Sequence, residues 1–136
     1  MEKRIENYWN QMEEHKLTFA EFLRNSKVDL GLVELKFDTT NRTMTAIYGD
    51  EDETLTIEAE EFPTVKEYDA IDLSTVIVPL KQDFAKLLND EAYHGELGEF
   101  LDKYHLTSMD FNMQNDEVTF RSGNSHLVEG VDYDAQ

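Results

Sequence analysis

Thirty carboxylates and four histidines are the groups in this 136-residue chain with the chemistry to hold a metal ion or move a proton. Hard cations take oxygen ligands at fixed intervals, and two stretches open in that way. Asp50 and Asp52 fill the first and third places of a calcium-type loop, but Leu55 takes the sixth, where the tight turn needs glycine. Asp110, Asn112 and Gln114 open similarly, with Asn115 in the glycine place and Arg121 where the bidentate glutamate belongs. Both stretches read as turns or strands, so no metal site is expected. His94 and His105 are too far apart for one helical face, and His15 and His126 stand alone. They are expected to be surface or hydrogen-bonded side chains, open to changes of pH.

Catalysis by a nucleophile needs a base beside it and an oxyanion site, and no G-x-S-x-G elbow announces either. The chain has no cysteine, and its six glycines, at 31, 49, 95, 98, 123 and 130, match neither a dinucleotide fingerprint nor a phosphate loop. Two acids facing across a cleft could hydrolyse a glycoside, but among thirty acids the sequence singles out no pair. No catalytic residue and no cofactor are expected, and the chain reads as a non-enzyme.

The absence of cysteine fits a reducing compartment. Met1 to Trp9 contains no apolar run of the signal-peptide kind, and nowhere do eighteen apolar residues follow one another. A cytoplasmic, non-membrane protein is the expectation. With 40% apolar and 11% aromatic residues the chain can bury a core, so residues 1–136 are read as a single acidic α+β domain, with 129–136 a loose tail.

Ile5, Trp9, Met12, Phe19 and Leu23 recur at helical spacing and predict an N-terminal amphipathic helix, with a break near Leu17 where Thr18 and Glu21 have the spacing of a capping box. From Val28 the period becomes two. Residues 28–59 predict a three-stranded antiparallel meander, turning at Asp38–Arg42 and Gly49–Asp52, with one wet face. Glu60–Asp72 reads as a loop and Thr75–Val78 as a short strand. Two further short helices follow, one over Leu80–Asn89 and one around Leu97–Tyr104. A C-terminal β-hairpin over 108–120 and a last short strand at His126–Val128 complete the pattern, with no internal repeat expected.

Charge is the feature left over. Residues 1–42 carry eight acids against seven bases, residues 43–80 ten against one, and residues 81–136 twelve against four. A net charge of −18 repels phosphate backbones and anionic lipids and attracts cationic proteins. Direct binding of nucleic acid or membrane is therefore disfavoured, and the expected partner is a basic protein. The tract after Tyr48 is expected to form one acidic ridge whose partner-binding residues are Asp50, Glu51, Asp52, Glu53, Glu58, Glu60, Glu61, Glu67 and Asp69, with Tyr48, Phe62 or Tyr68 as an aromatic anchor. Duplex DNA carries about one charge per 1.7 Å of axis, and closely set carboxylates can imitate it. Small acidic proteins that occupy the nucleic-acid groove of an enzyme occur among phage inhibitors of restriction and CRISPR nucleases. By that analogy of charge and size the expectation is a DNA-mimic-type inhibitor. The alternatives are an immunity-type partner of a basic toxin, or a small phage or bacterial assembly protein whose acidity serves only solubility.

Overall fold

The computed structural model describes residues 4–14, 17–58, 62–89 and 94–133, without the side chains of 4, 13, 94 and 95. His15, Glu60 and Glu61 lie outside the described residues, and so does the side chain of His94. The elements run α1 (Arg4–Glu13), α2 (Phe19–Leu30), β1 (Leu32–Asp38), β2 (Thr43–Tyr48), β3 (Asp52–Thr56), α3 (Ile77–Asn89), α4 (His94–Lys103), β4 (Ser108–Asn112), β5 (Glu117–Ser122) and β6 (Ser125–Gly130). Two short 3-10 turns, Glu67–Asp69 and Leu73–Thr75, interrupt the connection between β3 and α3. The six strands form one antiparallel sheet in the order β3-β2-β1-β4-β5-β6. The α+β class expected from the sequence is the class observed.

Local chemistry sets the helix ends. Thr18 caps α2 by accepting from the Glu21 amide at 3.0 Å, and the Glu21 carboxylate accepts from the Thr18 amide at 3.0 Å. Gly31 ends the helix with φ 67°, a left-handed turn that costs glycine little. Val28 and Leu30, expected in a strand, belong to this helix, whose hydrogen bonding continues until glycine permits the reversal. Thr75–Val78, expected as a strand, is a 3-10 turn running into α3, with Pro79 in the helix's first turn, where its missing N–H costs nothing.

Along each central strand alternate residues are buried. Leu35 and Phe37 of β1, Met44 and Ala46 of β2, Met109 and Phe111 of β4, and Val118 and Phe120 of β5 face the helices. Trp9 of α1 meets Phe37 at 5.7 Å between ring centroids, and Phe84 of α3 meets Phe111 at 6.2 Å. Rings of this size contribute about 1.5–3 kcal/mol each by leaving water. The opposite face carries Glu34, Lys36, Asp38, Thr45, Asp110 and Thr119, and among the described residues no helix covers it.

Two α-α-β-β-β units share this sheet, a repeat that the sequence reading did not expect. β1 and β4 meet at the centre, Leu35 opposite Phe111 and Phe37 opposite Met109, a register that exchanges with itself about the Lys36–Asp110 pair. Left-handed residues recur 74 positions apart, at Gly31 (φ 67°) and His105 (φ 50°) and at Arg42 (φ 56°) and Asp116 (φ 53°). Hydrogen bonds recur as well. The Ile57 amide donates to the Arg42 carbonyl as Val131 does to Asp116, and Thr39 donates to Thr107 as Met113 does to Val33, all at 2.8–3.1 Å.

Residues 129–133 are not the loose tail expected from their polarity, and 134–136 lie outside the described residues. Glu129 and Gly130 belong to β6, and Val131 and Tyr133 are buried, the Tyr133 hydroxyl lying 3.2 Å from the Met113 sulfur. Burial pushes that hydroxyl's pKa well up.

Candidate functional site

The acids after Tyr48 lie on the sheet edge at β3 and on the segment that leads away from it. Asp50 and Glu51 turn between β2 and β3, Asp52 opens β3 on the uncovered face, and Glu58 follows the strand's far end. From Asp52 to Glu58 the chain is extended over six steps, about 20 Å at the usual rise of a strand. Glu67, Asp69 and Asp72 then lie on a strap that runs along one end of the sheet. The Val65 carbonyl accepts from Thr40 Oγ1 at 2.9 Å, the Ile71 amide donates to Ser122 Oγ at 2.8 Å, and the Leu73 amide donates to Ser125 Oγ at 2.9 Å. Those contacts carry the strap from the β1–β2 turn to the β5–β6 turn. Strands lie about 4.8 Å apart, so its far end is roughly 20 Å from β3.

The described site residues, Glu53 apart, therefore lie along an acidic rim instead of one compact ridge. Asp50, Asp52, Glu58, Glu67 and Asp69 are exposed and Glu51 is half-buried. Glu53 is not on the rim. Its side chain is 6% exposed and faces the helices, because Asp52 and Thr54 take the outward positions of an alternating strand. There Glu53 Oε1 accepts from the Ile5 amide at 3.0 Å and from the Tyr48 hydroxyl at 2.8 Å. This carboxylate ties the first turn of α1 to the edge strand.

Four described lysines pair with acids outside the tract. Lys27 pairs with Asp116 at 2.7 Å, Lys36 with Glu34 at 3.4 Å, Lys81 with Glu129 at 3.2 Å and Lys103 with Asp83 at 2.7 Å. Within the tract itself the one cation is Lys66, and its ammonium lies over the Tyr68 ring, 5.7 Å from the centroid. Among the three anchor candidates, Tyr48 and Phe62 are 5% and 2% exposed and belong to the core, whereas Tyr68 is 80% exposed.

Two further polar features lie outside the expected site. A cleft of about 300 Å³ opens between α3 and α4, with Leu87 and Phe100 among its walls and Asp83, Glu96 and Lys103 beside them. The Lys103 ammonium and then the Tyr104 hydroxyl hold the Asp83 carboxyl below its usual range. On the uncovered sheet face Asp110 sits opposite Lys36, and desolvation pushes its carboxyl up despite that cation. The residue pattern marks Asp110 only as the opening of an incomplete calcium-type loop and does not mark the cleft, since spacing along the chain does not show which elements become neighbours. Among the described residues no group of three or more histidines and acids is placed to hold a metal ion, and no helix is long and apolar enough to cross a membrane. In comparisons with known proteins, no family model, no curated protein and no solved structure matches this chain.

Proposed function

We propose that the chain is an acidic protein-interaction module that binds a basic protein surface and carries out no enzymatic step of its own. The observation behind this reading is the division of charge: Lys27, Lys36, Lys81 and Lys103 neutralise acids elsewhere, while Asp52, Glu58, Glu67 and Asp69 face solvent with Lys66 as the tract's one base. Such a rim steers a cationic partner into encounter and repels phosphate. Its most concrete form is a DNA-mimic-type inhibitor of a nucleic-acid-binding enzyme, in which carboxylates at both ends of β3 and along the strap stand in for phosphates. A second reading, an immunity-type partner of a basic toxin, is favoured by the break in the acidic track between Asp52 and Glu58, where the outward positions of β3 are Thr54 and Thr56. A shaped protein surface tolerates that gap better than a phosphate-like track does.

The test is capture from lysate at low and high salt with the wild type and with a variant carrying Asp52→Lys, Glu58→Lys, Glu67→Lys and Asp69→Lys. The expected result is a basic protein held at low salt, released at high salt and lost by the variant. Duplex DNA should compete when the partner is a DNA-binding enzyme and leave a toxin complex intact. A partner retained equally by the variant would remove the rim from the account.

A further inference from the structure

Among the described residues Tyr68 is the one aromatic side chain that the fold leaves exposed. Apart from half-buried Tyr8, the other described Phe, Tyr and Trp rings are buried in the core, whereas an 80% exposed phenol gains the isolated molecule little by burial. The backbone beneath it is nevertheless fixed. The Asp69 amide donates to the Lys66 carbonyl at 2.9 Å and the Ala70 amide to the Glu67 carbonyl at 3.1 Å, closing the turn. His105 Nδ1 donates to the Asp69 carbonyl at 2.7 Å, and Ile71 is tied to Ser122. Ala70 is seated so closely on the β5–β6 turn that a Cβ at Gly123 would lie 2.7 Å from its own. A ring held on a turn pinned from both sides loses little freedom when it is bound, which is what a binding anchor requires.

Its surroundings define what can cover it. Glu67, Asp69 and Asp72 are all exposed beside it, and Lys66 approaches the ring. Acids so close repel phosphates and anionic lipid heads, whereas guanidinium groups stack on an aromatic face and pair with carboxylates at the same time. We propose that Tyr68 is the anchor of a protein-binding surface: its ring enters an apolar slot on the partner that is lined by arginine or lysine, with Glu67 and Asp69 pairing at the rim of the slot. This rests on the reading above, that the partner is a basic protein.

Two preparations would test it, one with the photo-reactive p-benzoylphenylalanine replacing Tyr68 and one with it replacing Val78, an exposed residue of α3. Irradiated in cells that express the chain, the first should cross-link to a protein at a peptide rich in arginine or lysine, and the second should not cross-link to that peptide. Binding of the purified cross-linked protein should weaken at least about 30-fold with Tyr68→Ala and stay within about tenfold with Tyr68→Phe. Circular dichroism of both variants should match the wild type, since the ring is not packed. Cross-linking from 68 no stronger than from 78, or into a peptide without cations, would overturn the proposal. Affinity unchanged by Tyr68→Ala but lost with Asp52→Lys and Glu58→Lys would overturn the anchor and leave the acidic-module reading standing. Affinity unchanged by any of these would overturn both.

Discussion

The two α-α-β-β-β halves share a backbone and differ in what fastens their outer strands. In the first half Glu53 of β3 reaches inward to the Ile5 amide and the Tyr48 hydroxyl. In the second half Leu127, opposite Phe120 as Glu53 is opposite Ala46, stands at that place on β6, and Ser122 holds the strap where Tyr48 holds the acid. One edge is thus fixed by a buried carboxylate and the other by a connecting segment laid across its turn. A backbone can recur while its polar side chains are reassigned, because the apolar pattern and the left-handed turns dictate the geometry. The rest is available for binding.

The sharpest way to break this comparison is at the centre. Phe37 and Phe111 are equivalent and fully buried, so Phe37→Ala and Phe111→Ala should each cost about 3–5 kcal/mol. Denaturant melts giving costs that differ several-fold would show that one half carries the core. At the outer strands, Glu53→Ala should cost about 2–3 kcal/mol by leaving the Ile5 amide and the Tyr48 hydroxyl without their acceptor, and Glu53→Gln should recover most of the loss. Equal losses for Gln and Ala would mean that the charge, not the hydrogen bonds, fastens the edge.

The equivalent turns give a finer contrast. Gly123, at φ 58° and close against Ala70, should not accept a side chain, and Gly123→Ala should cost about 2 kcal/mol. Gly49, 74 positions earlier with open space around it, should accept alanine within about 0.5 kcal/mol. Thermal melts showing equal shifts would deny that the strap leans on one half alone. The smallest effect belongs to the pseudo-axis. The Asp110 carboxyl has its pKa raised by burial, so the folded state binds a proton more readily than the unfolded chain, and stability falls as pH rises above the ordinary carboxylate value. Asp110→Asn should raise Tm at pH 7 by roughly 1–3 °C, and the gain should shrink as pH is lowered through the folded pKa. A constant gain across that range would point to a cause other than the proton.

Much of this architecture was legible in the residues. The Trp9 stripe, the Thr18–Glu21 box and the period of two at Met44–Tyr48 and Met109–Met113 each give the observed element, because local spacing alone decides them. The repeat leaves only a faint trace in the residues: Leu32, Phe37, Asn41, Thr45 and Gly49 recur 74 positions on as Leu106, Phe111, Asn115, Thr119 and Gly123, too few to stand out from chance until the two sets of strands are seen side by side. The placement of Glu53 was less accessible, since an acid between Asp52 and Thr54 looks like any other surface residue until β3 is known to alternate against α1. Nor could spacing show the strap crossing the sheet end, where Ser122 and Ser125 meet residues some fifty positions away in the chain. The acids were found from composition, but their distribution around a rim depends on tertiary structure.

The most direct test of the acidic rim as a binding face is the association rate of the captured partner, measured by stopped flow across a range of salt. Wild type should associate fast at low salt and slow steeply as salt is added, and the variant with lysine at 52, 58, 67 and 69 should be slow at every salt concentration. Equal rates for the two proteins, with the same shallow salt dependence, would contradict the account and leave the acidity as a matter of solubility.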